Sequence, residues 1–210
     1  MNHDPTPEKP EEPKNESILL KKPRLVIPAV VFYALLFAVG IVLRYFIQNR
    51  WLHLPIYPRR AFELELLVVA LGLMFHIAIL NWGVRFFKGM SALIEELRSL
   101  LGGLTKKECI LLAAVSALGE EAFFRGALQP LIGAPLATLL FAAAHVPAGK
   151  NMLLWPFYAL FMGSFLALLT EISGDIYSAV LLHFLVNAIS LLSLNTFNAP
   201  DLLQSEIHYK

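Results

Sequence analysis

The run 25–46, LVIPAVVFYALLFAVGIVLRYF, is the stretch that most limits how this chain can fold. A helix needs about 20 apolar residues to cross the hydrocarbon core of a bilayer, and this run is that long. Five further segments cross or nearly cross, at about 64–84, 108–128, 134–146, 152–169 and 176–194. Composition agrees, with 57% apolar and only 16% charged residues, where a soluble domain carries roughly 25% charge. The expected fold class is all-α: a polytopic transmembrane helical bundle of about six membrane helices plus an amphipathic connecting helix. A net charge of +1 gives no basis for nucleic-acid binding. With Cys109 alone no intramolecular disulfide is possible, and the residue reads as a small buried apolar side chain.

The first 24 residues are rich in Pro, Lys and Glu and lack aromatics. They bury too little apolar surface to offset ordering, so a disordered tail is expected over 1–24. No A-x-A-like cleavage site follows the first apolar run, which is therefore expected to stay as an anchor. Residues 25–104 hold the first membrane helices and a connector, 105–195 a membrane core that carries the charged stretch, and 196–210 a C-terminal tail. In the connector, GMSALIEELRSLLGG repeats Met90, Leu93, Ile94, Leu97 and Leu100 at helical spacing, with Glu95, Glu96 and Arg98 between them. That pattern predicts an amphipathic helix, on the membrane surface or simply connecting two spans. The lysines and arginines between spans favour a cytoplasmic tail and second loop by a small margin.

Charges and histidines at membrane depth are costly, and they usually face the bundle interior and act there. In GEEAFFRGAL, Glu121 and Arg125 stand four apart with the acid first, the favoured helical ion-pair order. Glu120 points about 100° away on the helical wheel and is left without that partner. A partly desolvated carboxylate of this kind suits general-base work. FAAAH puts Phe141 and His145 on one helical face, and HFLVN does the same for His183 and Asn187. With spans that alternate in direction, a 1.5 Å rise per residue brings Glu120, His145, His183 and Asn187 into one layer of the bilayer. A layer holding a carboxylate, two imidazoles and an amide is hard to explain as packing. His76 and Asn81, five apart and without a motif, are expected to serve structural hydrogen bonding.

The three motifs E-E-x-x-x-R, F-x-x-x-H and H-x-x-x-N, in this order on successive helices, resemble those of the CPBP family. These are the CAAX proteases and bacteriocin-processing enzymes, also called the ABI family, whose best-known members are the type II CAAX prenyl endopeptidases. The resemblance covers about residues 105–195. It implies an intramembrane helical bundle around a polar cavity and an endopeptidase acting on a membrane-anchored or prenylated protein or peptide. By motif position it implies Glu120 as the catalytic glutamate and His145 as its partner in activating water. It implies His183 and Asn187 as stabilisers of the oxyanion, with Glu121, Arg125 and Phe141 in support. An integral, multi-pass protein of the cell (inner) membrane is expected, with the bilayer itself as a partner.

The same residues allow a zinc-dependent version, since Glu and His are zinc ligands. A metal-free scheme without cofactors is preferred because H-E-x-x-H is absent and Glu120 has its own role as base. A non-proteolytic alternative is an ion transporter, a scaffold or an immunity protein on the same bundle. The chain shows no repeated halves of the kind many transporters carry.

Overall fold

The computed structural model describes residues 25–48, 62–145 and 149–196. The tails expected over 1–24 and 196–210 lie outside the described residues, except for Thr196, which is the last residue of a helix. Among the described residues the regular secondary structure is all helical. The first helix, α1 (Val26–Gln48), crosses as one unbroken rod. α2 (Phe62–Ala78) passes through a π-helical turn, Ile79–Gly83, into the short α3 (Val84–Phe86). The amphipathic α4 (Lys88–Leu101) follows after one extended residue, Phe87. Its Leu93 is buried, and the helix packs against the ends of the two last helices, as a connector rather than a free surface helix.

α5 (Lys106–Glu120) starts at Thr105 for a local reason. The sequence TKKE is a capping box: the Glu108 N–H donates to Thr105 Oγ1 at 3.3 Å, and the Thr105 N–H donates to Glu108 Oε2 at 2.7 Å. α5 then runs without a break into a π-helix, Glu121–Leu128, and a last turn, α6 (Gln129–Ile132). Gly133 ends the rod at φ 83°, a backbone setting only glycine takes without strain. Pro135 restarts the chain as α7 (Ala134–Ala144). α8 (Leu154–Ser173) and α9 (Tyr177–Thr196) complete the bundle.

Four of these segments are long and apolar enough to cross a bilayer: Val26–Phe46, Phe62–Gly83, Leu154–Ser173 and Tyr177–Asn195. The rod over 106–132 has the length but carries the charges. α7 has 11 residues, about 16 Å at 1.5 Å per residue, so it ends part-way through the hydrocarbon core. The six expected segments are all present, and the fourth is a half-span.

α5 lies between α1 and α9, while α8 packs against α2, α7 and α9. The main core joins Val68 and Val69 of α2, Phe124, Phe141, Leu166 and Leu182. A second cluster holds Cys109 and Leu112 against Val26 and Val30 of α1 and Leu191 of α9. Cys109 is fully buried, as expected of a packing residue. α1 sits so close to the charged rod that two glycines are required. A Cβ on Gly119 would lie 2.6 Å from the Tyr33 carbonyl oxygen, and one on Gly40 would lie 2.8 Å from the Ala122 backbone. The opposite side of α1, with Val31 and Leu35 more than half exposed, presents apolar surface to lipid.

Candidate active site

The charged stretch is built from the seam between α5 and the π-helix. Glu120 is the last α-helical residue and Glu121 the first π-helical one. The wheel drawn for an ideal α-helix therefore needs correcting from Glu121 onward, because a π-helix bonds i to i+5. The Gln129 N–H accordingly donates to the Phe124 carbonyl. The separation of the two acids holds even so. Glu121 is fully buried and turned toward His183 of α9, whereas Glu120 keeps some exposure, 11% of its side chain.

Glu121 serves two partners. Its Oε2 lies 3.4 Å from Arg125 Nε, an ion pair without hydrogen-bond geometry. Its Oε1 lies 2.8 Å from His183 Nδ1. An ionised carboxylate only accepts, so His183 Nδ1 is the donor. Arg125, 1% exposed, donates from Nη2 to the Gly163 carbonyl at 3.0 Å and stacks on the Phe141 ring at 4.2 Å. A side chain on residue 163 would crowd this arrangement, since a Cβ on Gly163 would lie 3.1 Å from Nη2 and 3.0 Å from Phe141.

His145 caps the C-terminal end of the half-span α7, with φ −85° and ψ 51°. Non-helical backbone at membrane depth is tolerated only where it is buried or lines a cavity, and His145 lines one. Its Nδ1 lies 2.7 Å from the Phe141 carbonyl, which can only accept, so this proton too is committed. The ring is held between Phe141 at 4.6 Å and Trp155 at 5.8 Å, centroid to centroid.

Both imidazoles thus turn Nε2 toward the same oxygen. His145 Nε2 and His183 Nε2 each lie 4.0 Å from Glu120 Oε2. That oxygen is buried and has no hydrogen-bond partner among the described residues. Glu120 and His145 open onto a cavity of about 380 Å³. Its walls are otherwise aromatic and apolar, with Phe32, Tyr33, Phe123 and Trp155 prominent. His183 sits behind Glu120 and does not line this cavity.

Asn187 is placed differently from the other three. Its Nδ2 donates to Ser116 Oγ at 2.9 Å, one helical turn before Glu120, and Ser116 donates on to the Ala113 carbonyl at 3.2 Å. The expected layer therefore holds Glu120, His145 and His183, with the Asn187 amide engaged a turn away. His76 is buried in a network of its own, 2.7 Å from the Tyr158 hydroxyl and 3.4 Å from Ser190 Oγ. Asn81 lies exposed in the π-helical turn after α2. Sequence reasoning passed over Ser116, Gly163, Trp155 and Tyr33. Ser116 was within reach, because it stands four before Glu120 on the same face. The others come from distant helices and carry no local signal.

Residues 107–189 match the family model described as type II CAAX prenyl endopeptidase Rce1-like. No curated protein and no solved structure matches the chain. The matched segment contains Glu120, Glu121, Arg125, Phe141, His145, His183 and Asn187. Four helices of membrane-crossing length and composition accompany the match, and the two together support an integral membrane protein related to proteases. Over residues 107–189, the chain is similar to the CAAX-type proteases of the CPBP family.

Proposed function

We propose that this protein is an intramembrane endopeptidase of the cell (inner) membrane that cleaves a membrane-anchored or prenylated protein with a water activated by Glu120. The observation that carries the reading is the convergence of two Nε2 atoms on Glu120 Oε2 at 4.0 Å each, at the wall of a cavity. Groups 4.0 Å apart are too far for a direct hydrogen bond and close enough to share one water at about 2.8 Å from each. With Nδ1 of His145 committed as a donor, Nε2 of the neutral ring is an acceptor. A water between Glu120 and His145 then donates both hydrogens and keeps a lone pair for attack.

In the reaction the water oxygen bonds to the scissile carbonyl carbon while Glu120 takes a water proton. The carbonyl oxygen becomes negative. Glu120 returns the proton to the amide nitrogen as the C–N bond breaks, leaving a carboxylate and a free amine. His183 can donate from Nε2 to the oxyanion when it holds both ring protons. Glu121, 2.8 Å from Nδ1, is the counter-charge for that form. Asn187 is the second donor proposed, after release from Ser116. The buried ion pair with Arg125 balances the remaining charge of Glu121.

Zinc is the alternative, and Glu120, His145 and His183 are ligand types it takes. The fit is poor as these side chains stand. Ligands at about 2.0–2.1 Å around a tetrahedral zinc lie roughly 3.4 Å apart, and both imidazoles here stand 4.0 Å from the carboxylate oxygen. Among the described residues no group of three His, Cys, Asp or Glu side chains is arranged to hold a metal ion.

Glu120→Gln tests the assignment most simply. In purified protein in a bilayer, cleavage of a tagged prenylated peptide should vanish while helix content and thermal stability stay at the wild-type level. Full turnover by a folded Glu120→Gln protein would remove Glu120 from the mechanism.

A further inference from the structure

α1 is the most lipid-exposed helix of the bundle, yet one narrow stripe of it is turned inward. Tyr33, Gly40 and Arg44 stand seven and eleven residues apart, which brings all three to one face of a helix. Each touches the catalytic rod. The Tyr33 carbonyl lies where only a glycine, Gly119, can pass, and Gly40 meets the Ala122 backbone. Arg44 Nη1 donates to the Gly126 carbonyl of the π-helix at 2.7 Å. α1 is thereby docked along the seam on which Glu120 sits, over several turns.

The tyrosine of that stripe shares the cavity wall with Glu120 and His145. The phenol and the carboxylate therefore face one space. The two imidazoles approach Glu120 at 4.0 Å, beyond direct hydrogen bonding. A carboxylate that must take a proton from water and return it has to be fixed in rotation, and neither imidazole does this directly. A phenol O–H on the α1 side is a fixed donor, on a ring with two rotatable bonds and held by the docked backbone.

We propose that Tyr33 is a positioning residue of the active site: reaching the cavity from α1, outside the matched segment 107–189, it holds the Glu120 carboxylate in the orientation that activates water. The proposal rests on the reading of Glu120 as the base. It makes α1 part of the catalytic unit, so the matched core is an incomplete enzyme without it.

The test compares Tyr33→Phe, Tyr33→Ala and Glu120→Gln with the wild-type full chain in lipid bilayers. The probe is a quenched fluorogenic peptide with a prenylated cysteine four residues from its C-terminus. Losing one hydrogen bond to a charged group predicts a kcat about 10- to 100-fold lower for Tyr33→Phe, with KM within about twofold of wild type. Tyr33→Ala should show a similar kcat per folded molecule, because the hydroxyl is what both lack. Difference infrared spectroscopy supplies a readout apart from turnover: the carboxyl band that disappears in Glu120→Gln should move in Tyr33→Phe. An unmoved band, or normal kcat in Tyr33→Phe with loss only in Tyr33→Ala, would overturn the inference and leave Glu120 as base intact. Turnover by Glu120→Gln would overturn both readings together.

Discussion

Glu120 and Glu121 are neighbours in the chain and occupy opposite kinds of surroundings. Glu121 is sealed between Arg125 and His183, while Glu120 faces a cavity with no hydrogen-bond partner for Oε2. Their substitutions should therefore fail in different ways. Glu121→Gln leaves Arg125 buried without its counter-charge, and breaking such a pair costs about 3–5 kcal/mol. The expected result is a large fall in thermal stability and in folded yield, in contrast to the stable, inactive Glu120→Gln protein. Asn187 poses a sharper question, because its amide donates to Ser116 in the resting structure. If Asn187 stabilises only the transition state, Asn187→Ala should lower kcat and kcat/KM together, by roughly 100- to 1,000-fold. Ser116→Ala, which frees the amide, should leave kcat within a few-fold of wild type. A normal kcat per folded molecule in Asn187→Ala would make the Asn187–Ser116 bond a packing contact. These residues were all legible as motifs except Ser116, whose partner lies 71 positions away.

Among the elements, the π-helix over Glu121–Leu128 is the departure from local expectation. Its sequence, EAFFRGAL, has no residue that forbids an ordinary α-helix. What distinguishes the segment is its setting, with Glu121, Ala122, Phe124, Arg125, Gly126 and Ala127 all buried. α1, α7 and α8 press on it from several sides, and Arg44 of α1 takes up the Gly126 carbonyl. Such surroundings are tertiary, and no window of sequence contains them. The docking of α1 gives a direct test. Gly119→Ala puts a Cβ 2.6 Å from a backbone oxygen, a contact that a rotamer change cannot relieve. Overpacking of this kind costs typically about 1–3 kcal/mol. Thermal stability should fall, and because Tyr33 moves with its backbone, kcat per folded molecule should fall as well. A Gly119→Ala protein with wild-type stability would mean that α1 sits farther out than described.

On the scale of the whole molecule, a charged rod is flanked by apolar helices that keep lipid away from it. α7 stops part-way across, and that half-span is what brings His145 to the level of Glu120. Cavity walls of Phe32, Phe123 and Trp155 suit an apolar chain arriving from the bilayer. The metal-free scheme is tested at this scale, since any metal would have to survive purification of the intact bundle. Protein purified without added metal should hold well under one zinc per chain by elemental analysis. Its activity should persist through long incubation with a strong chelator. Loss of activity together with stoichiometric zinc, and its return on re-addition, would establish the zinc-dependent version.

The chain alone was enough to establish that this is a helical membrane protein, because a hydrocarbon core admits only a few backbone solutions and the apolar runs have the length for one of them. It was also enough to separate Glu120 from the Glu121–Arg125 pair and to mark His145 and His183, since four-residue spacing is a local property of helices. Tertiary structure decided the rest. It turned His183 onto Glu121, tied Asn187 to Ser116, and required glycine at 40 and 119. It also brought Tyr33 of α1 to the cavity lined by Glu120, 87 positions later in the chain. The physical reason is common to all of these. Helical periodicity tells which residues of one helix share a face, but which helix that face meets depends on how the rods pack across the bilayer.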